Sequence, residues 1–306
     1  VIILAVLIAP SHANNLDSLN QKNWIHGSED CNNNQDPAID VFQFNESTYI
    51  LRQNKCLNYE APFIYVLFGE HTVFVQDTGA TAEAELFPLY ETIQKLIAEG
   101  PNSDLDILVT HSHSHGDHTA ADIQFLGKPR VTLIEPDAES VQQYFGLNNW
   151  PNGTASTDLG GRELTVIPIP GHQTESIAIY DPQTQWLLTG DTFYPGRLYI
   201  RDWELYKSSI QRLLEFSTNN TISALLGTHI EMSKQAGKDY PMGSSYHPDE
   251  AALTLSVDDL SLLNTSLNEL GSKPEEKVLS KFIIYPVGAV QKYIGSFLGW
   301  LKRKTK

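Results

Sequence analysis

The sequence predicts an α/β protein built as a four-layer αβ/βα sandwich, and two observations carry that prediction. Short β-branched and aromatic runs alternate with stretches of helical period, and they do so twice along the chain, as two helix-covered sheets would require. The segments richest in ionisable and turn-forming residues, around His111, His172, Asp191 and His229, each follow directly on one of the apolar runs. They are therefore expected to gather at strand ends.

The 306 residues are enough for one large domain or two small ones, and 41% hydrophobic content is ordinary for a chain with a sizeable core. Acidic residues outnumber basic ones 37 to 21, for a formal charge of −16. Such a surface repels phosphate backbones, which disfavours a nucleic-acid partner and leaves a small-molecule substrate as the expectation.

Taken in order, the chain opens with nine apolar residues, Val1 to Ala9, then Pro10 and the small-x-small triplet Ser11-His12-Ala13. Residues 1–13 read as a truncated secretory leader, with the mature chain starting near Asn14 in the periplasm or outside the cell; the alternative is a buried N-terminal strand. An exported chain with two cysteines, Cys31 and Cys56, is expected to join them, against the alternative of two unrelated thiols. Residues 14–60 are polar and Asn-rich, with strand-like pieces at 39–42 and 48–51. Phe63 to Phe68 and Thr72 to Val75 flank the turn Gly69-Glu70-His71 as a hairpin, with His71 solvated. Residues 81–99 read as a helix presenting Leu86, Tyr90, Ile93 and Ile97 and stopped by Gly100-Pro101. After the strand Leu105–Thr110 come a helical run at 119–128, the strand Val131–Ile134 and a short helix from Asp137 to Tyr144. Residues 146–160 read as a loop whose Trp150 could wall a pocket. Strands ending before His172, Asp191 and His229 then alternate with one helix, Trp203 to Phe216. Leu253 to Leu270 is helix-like, and residues 14–270 are the expected domain. Residues 271–306 are read as an extension, apolar on a helical period from Phe282 to Leu301 and closed by Lys302-Arg303-Lys304. Two readings stand for it: an amphipathic peripheral anchor on anionic lipid, or a helix docked on the domain.

The densest chemistry lies in His111-Ser112-His113-Ser114-His115-Gly116-Asp117-His118. Buried imidazoles each need a partner, and one metal ion satisfies several at once. The histidines alternate, so two registers can be drawn, but only His113-x-His115-x-Asp117-His118 ends in an Asp-His pair. Pro170-Gly171-His172, Gly190-Asp191-Thr192 and Gly227-Thr228-His229 follow in order, each after an apolar run.

This series resembles the metallo-β-lactamase superfamily. The resemblance implies that His113, His115 and His172 hold one metal, that Asp117, His118 and His229 hold a second, and that Asp191 bridges them. It implies Asp77 as an acceptor behind the histidine loop and leaves His111 outside the register, in a structural role. Nitrogen and carboxylate donors without thiolate suit Zn²⁺, with Mn²⁺ or Fe²⁺ as alternatives. The implied activity is that of a metallo-hydrolase, a metal-activated hydroxide attacking an ester, lactone or amide carbonyl, with Asp117 as the group that passes a proton to the leaving atom. Lactam-hydrolysing members usually carry Cys or Ser in place of Asp191. An Asp there is the pattern of thioester hydrolases, lactonases and phosphodiesterases, so a β-lactamase-like or phosphodiesterase activity is the alternative. Tyr194 matches a lactonase tyrosine that faces the substrate carbonyl, or else it packs beside Pro195. Diiron redox members usually replace His115 by a carboxylate, which counts against redox chemistry here. No cluster matching the glutathione-binding basic residues of hydroxyacylglutathione hydrolases stands out.

Overall fold

The computed structural model describes residues 12–288, and across them the chain forms the expected α/β sandwich. In the first sheet β1 (Ile39–Asn45), β2 (Thr48–Gln53), β3 (Phe63–Phe68) and β4 (Thr72–Gln76) run antiparallel, and β5 (Asp106–Thr110) and β6 (Val131–Leu133) continue it in parallel. In the second, β7 (Ala155–Asp158), β8 (Glu163–Pro168), β9 (Ile177–Asp181) and β10 (Trp186–Gly190) are antiparallel neighbours. The chain leaves this sheet as β11 (Arg197–Ile200) and returns with β12 (Ala224–Gly227), parallel to β10, and β13 (Thr254–Leu255) at the edge. β14 (Lys277–Val278) and β15 (Ile283–Pro286) join β11 in a small third sheet. The helices are α1 (His12–Gln21), α2 (Leu89–Glu99), α3 (Gly116–Thr119), α4 (Ala138–Phe145), α5 (Trp203–Asn219) and α6 (Val257–Leu270).

Period-two alternation sorts each strand between two cores. Phe63, Tyr65 and Leu67 of β3 share one cluster with Leu164, Val166, Trp186 and Leu188 of the second sheet. Their sequence neighbours Ile64 and Val66 turn to the other face and pack with Ile93 and Ile97 of α2. On the far side, Leu187 and Leu225 meet Tyr206 and Ile210 of α5 and Leu260, Leu263 and Leu267 of α6. Each such side chain, fully buried, contributes about 1.5–3 kcal/mol, so the two sheets hold together without help from the polar site.

Several elements depart from the expectation. The helix expected over 81–99 begins at Leu89, because Pro88 at its N-cap disfavours helical geometry at Phe87. Leu86, placed on the helix face, is 54% exposed instead. The run at 119–128 is a 3-10 turn at Ala120–Gln124 following α3. The loop expected over 146–160 contains β7, and Trp150 packs on the inter-sheet core rather than walling a cavity. The helix expected from Leu253 starts at Val257, capped by Ser256 and Asp259 in a reciprocal box, with β13 ahead of it. The helical period read from Phe282 gives way to β15, where Ile283, Ile284 and Tyr285 satisfy their backbone against β11. β14 and β15 lie beyond residue 270 and pair with β11 in the third sheet. Helix α1 and strands β9 and β11 have no counterpart among the expected elements. The leader up to Ser11 and the basic C-terminal residues lie outside the described residues. Among those described, no helix is long and apolar enough to cross a membrane.

Cys31 and Cys56 form a disulfide with Cα atoms 5.1 Å apart, closing a loop of sequence separation 25. A link of that span removes about 3 kcal/mol of unfolded-chain entropy in the usual treatment. The Cys31→Ser/Cys56→Ser double variant is expected to lose about that much stability, read as a lower denaturation midpoint with a slope raised by the more open unfolded chain.

Candidate active site

The histidine loop follows β5, where the first sheet ends, and one buried carboxylate behind it organises its shape. Asp77, at φ 71°, accepts the Ser112 backbone N–H (2.7 Å), the Ser112 hydroxyl (2.9 Å) and His118 Nδ1–H (3.1 Å). The Ser112 oxygen in turn accepts from His113 Nδ1 at 3.0 Å. A short polar side chain tolerates this left-handed backbone better than most, which suits Asp to the position. The remaining ligands come from the second sheet. His172 lies four residues past β8, Asp191 directly follows β10, and His229 follows β12. Gly171, at φ 140°, lets the His172 turn press on α5: a Cβ there would stand 2.4 Å from Tyr206 Cα. His172 Nδ1–H donates to the Tyr199 carbonyl and His229 Nδ1–H to the Glu60 carbonyl, both at 2.9 Å. With their outer nitrogens donating outward, His113, His118, His172 and His229 turn their Nε2 atoms to the centre.

The seven expected donors come together as two groups that share Asp191. His113, His115, His172 and Asp191 form one; Asp117, His118, His229 and Asp191 form the other, with the donor atoms of each group all within 4.8 Å of one another. In the first, His115 Nδ1 stands 2.9 Å from His113 Nε2 and 3.2 Å from His172 Nε2, while Asp191 Oδ2 is 3.6 and 3.7 Å from the latter two. In the second, Asp117 Oδ2 is 3.3 Å from His118 Nε2 and 3.4 Å from His229 Nε2, and Asp191 Oδ1 is 3.3 Å from His229 Nε2. Thr228 donates its hydroxyl to Asp191 Oδ1. His111 is absent from both groups and bonds Asp122 at 2.9 Å.

The two groups differ electrically. Burial holds His113 well below the usual histidine range, lowers His172, and brings His115 down to about 3. In the other group burial also opposes charge on the histidines, but Asp117, Asp191 and Asp77 outweigh it at His118, and Asp191 with Asp117 lifts His229 to about 9. Burial likewise opposes charge on Asp117 and Asp191, and the facing histidines hold both carboxyls well below their usual range. One group therefore presents neutral lone pairs and the other an ion-paired lattice; a cation can take the place of the protons in the second.

The cluster opens on a cavity of about 260 Å³ whose wall includes Lys55, Tyr59, Glu60, Tyr199, Tyr240 and His247. None of these was singled out by sequence, since they show no metal-like spacing. Tyr194 also borders the cavity, its ring centroid 5.7 Å from that of His229, but its hydroxyl donates to the Arg197 carbonyl, with Glu231 Oε2 3.2 Å away. A phenol has one proton, and the backbone takes it here. Tyr194→Phe is therefore expected to lower kcat less than about threefold, under ~0.7 kcal/mol. Stability should fall by about 1 kcal/mol for the lost buried hydrogen bond. A ~10²-fold loss of kcat with unchanged metal content would instead restore an oxyanion role.

Comparison with known proteins points to one superfamily. The family model of the metallo-beta-lactamase superfamily matches residues 59–266, more than half of the chain. The human acyl-coenzyme A thioesterase MBLAC2 is 33% identical over 205 residues, covering 54% of this chain and 72% of that protein. A hydroxyacylglutathione hydrolase of Chelativorans is 25% identical over 202 residues, 65% of this chain and 69% of that one. With relatives of the same two kinds from Gallus gallus and Hyphomonas neptunium, the matched stretch spans 33% and 56% of the relative's length. In three dimensions, the TMB-1 structure overlays 76% of this chain and all of its own, at 13% identity and a TM-score of 0.50, a likeness of fold. With the His/Asp cluster gathered at the strand ends and the family model matched over most of its length, the chain belongs to the metallo-β-lactamase superfamily.

Proposed function

We propose that this chain is a dinuclear zinc hydrolase of thioesters or esters that works outside the cytoplasm. The observation that carries the dinuclear reading is the pair of donor groups sharing Asp191. The donor set fits the metal. Four-coordinate zinc with ~2.0–2.1 Å bonds spans about 3.3–3.4 Å between adjacent ligand atoms, and the separations given above run from 2.9 to 3.7 Å, in groups whose donor atoms all lie within 4.8 Å. Five imidazoles and two carboxylates without a thiolate match zinc's borderline preference.

When bound, such a pair of ions supplies a water acidified toward neutrality and a Lewis acid for the carbonyl. The chain's own residues do the rest. Asp191 reaches both groups and keeps them at one spacing. Asp77, Tyr199 and Glu60 fix ring orientation from behind. Asp117 borders the cavity as an ionised carboxylate, placed to take a proton and return it to the leaving atom. Thioesters are favoured among carbonyl substrates because a relative matched over 72% of its length is named a thioesterase, and because a carboxylate stands at the shared position. Export is supported by the disulfide and by the apolar leader in the sequence.

Protein purified without chelator is expected to carry about two metal equivalents, mainly zinc. Assayed against thioesters, esters, lactones, β-lactams and phosphodiesters, it should cleave the first two fastest. Full activity with no metal would end the metallo-hydrolase reading, and a panel led by phosphodiesters would replace its substrate class.

A further inference from the structure

The cavity has a second polar wall, built from a part of the chain that supplies no metal donor. Lys55 sits in the turn after β2, next to the disulfide-bonded Cys56, and is 3% exposed. Its Nζ donates to the Tyr59 carbonyl at 2.7 Å. Among the described residues, no carboxylate comes within the 4.0 Å of an ion pair with it. Burial first, and Arg52 second, bring this amine down to about 8, which still leaves it mainly protonated at neutral pH.

The carboxylate best placed to neutralise it is already committed. Glu250 takes both terminal nitrogens of Arg52, at 2.5 and 2.6 Å, and His247 Nδ1 at 3.2 Å. Glu250 is thus held by Arg52, and Lys55, which borders the cavity, is left without an ion pair of its own. Glu60 and Glu231 share that cavity, neither within ion-pair distance of Lys55, and Glu231 Oε2 accepts the Arg197 N–H at 2.7 Å. Beside Lys55, His247 stacks on Tyr240 with centroids 4.1 Å apart, and its Nε2 has no partner among the described residues. A nearly buried ammonium without a counter-ion is destabilising unless an anion reaches it.

We propose that Lys55 anchors an anionic group of the substrate, so that this hydrolase selects acyl substrates bearing a carboxylate or phosphate remote from the bond it cleaves. The inference rests on the hydrolase reading above for its reaction, and on the geometry of this wall for its specificity.

Two matched ester pairs test it: 4-nitrophenyl glutarate against 4-nitrophenyl valerate, with the charge on the acyl side, and 4-carboxyphenyl acetate against its methyl ester, with the charge on the leaving side. In at least one pair, the anionic-to-neutral ratio of kcat/KM should fall at least about tenfold in Lys55→Met and stay near the wild-type value in Lys55→Arg. Lys95→Met, at an exposed lysine on α2, should leave the ratio alone. Calorimetric titration with glutarate and with phosphate separates the two anions and reads the site without turnover: the Kd of at least one should rise about tenfold or more in Lys55→Met. Ratios and affinities both insensitive to Lys55→Met, in protein shown to be folded by its thermal transition, would overturn the proposal. Esters left uncleaved while the affinities still depend on Lys55 would overturn the hydrolase reading and keep the anion site.

Discussion

Asp191→Asn is expected to reduce kcat/KM by about 10³-fold or more, ~4 kcal/mol of transition-state stabilisation, in a protein that still folds. Asparagine preserves the shape and can still accept from Thr228, so the hydrophobic frame has no reason to change. What disappears is the one negative charge that faces both groups, at 3.6 and 3.7 Å from His113 and His172 and 3.3 Å from His229. Metal analysis should show the loss at both positions together. Retention of the full metal complement with near wild-type turnover would mean that the groups do not share a bridge.

Arg52→Met should cost about 3–5 kcal/mol, because it leaves Glu250 buried and ionised without its main partner. The guanidinium is fully buried, meets Glu250 through both terminal nitrogens and lies over the Phe63 ring at 4.8 Å. Adding Glu250→Leu to the same chain should recover part of the loss, since removing both charges is far milder than stranding one. The pair also sets an acid limit. Burial would raise Glu250, but Arg52 outweighs it and holds the carboxyl at about 2, below the ordinary 4.5. A depressed carboxylate contributes fully above the unfolded value and loses that contribution as pH falls from there through the folded one. About 3 kcal/mol should therefore drain away between pH ~4.5 and ~2. Denaturant midpoints across that window should fall steeply for the wild type and more shallowly for Arg52→Met; parallel curves would refute the linkage.

Arg52 also shows where the sequence ceases to be legible. It stands in phase with core-facing Ile50 on β2, a charge at an inward position, which is a readable warning. Its partner lies 198 residues away and could not be read. The metal cluster is the opposite case. Four of its donors, His113, His115, Asp117 and His118, crowd into one loop after a strand, which announces a metal site, and the resemblance supplied His172, Asp191 and His229. Asp77 was nameable only through the resemblance, because its role depends on Ser112 and His118 meeting over it. Residues 282–286 misled because Ile283 and Val287 satisfy a helical period, while the backbone of β11 was free to pair with them. Lys55 carries no motif at all; its significance comes from burial and from the prior commitment of Glu250.

Asp77 holds His118 directly and His113 through the Ser112 hydroxyl, one imidazole from each donor group. For anyone re-engineering this centre, the routes to a one-ion and to a no-ion protein therefore diverge. His172 and His229 hang from separate carbonyls, so replacing either can thin one group while its neighbour stays aligned. A substitution at Asp77 unlocks a ring in both at once, and occupancies measured across a library of such variants should fall in step rather than one after the other.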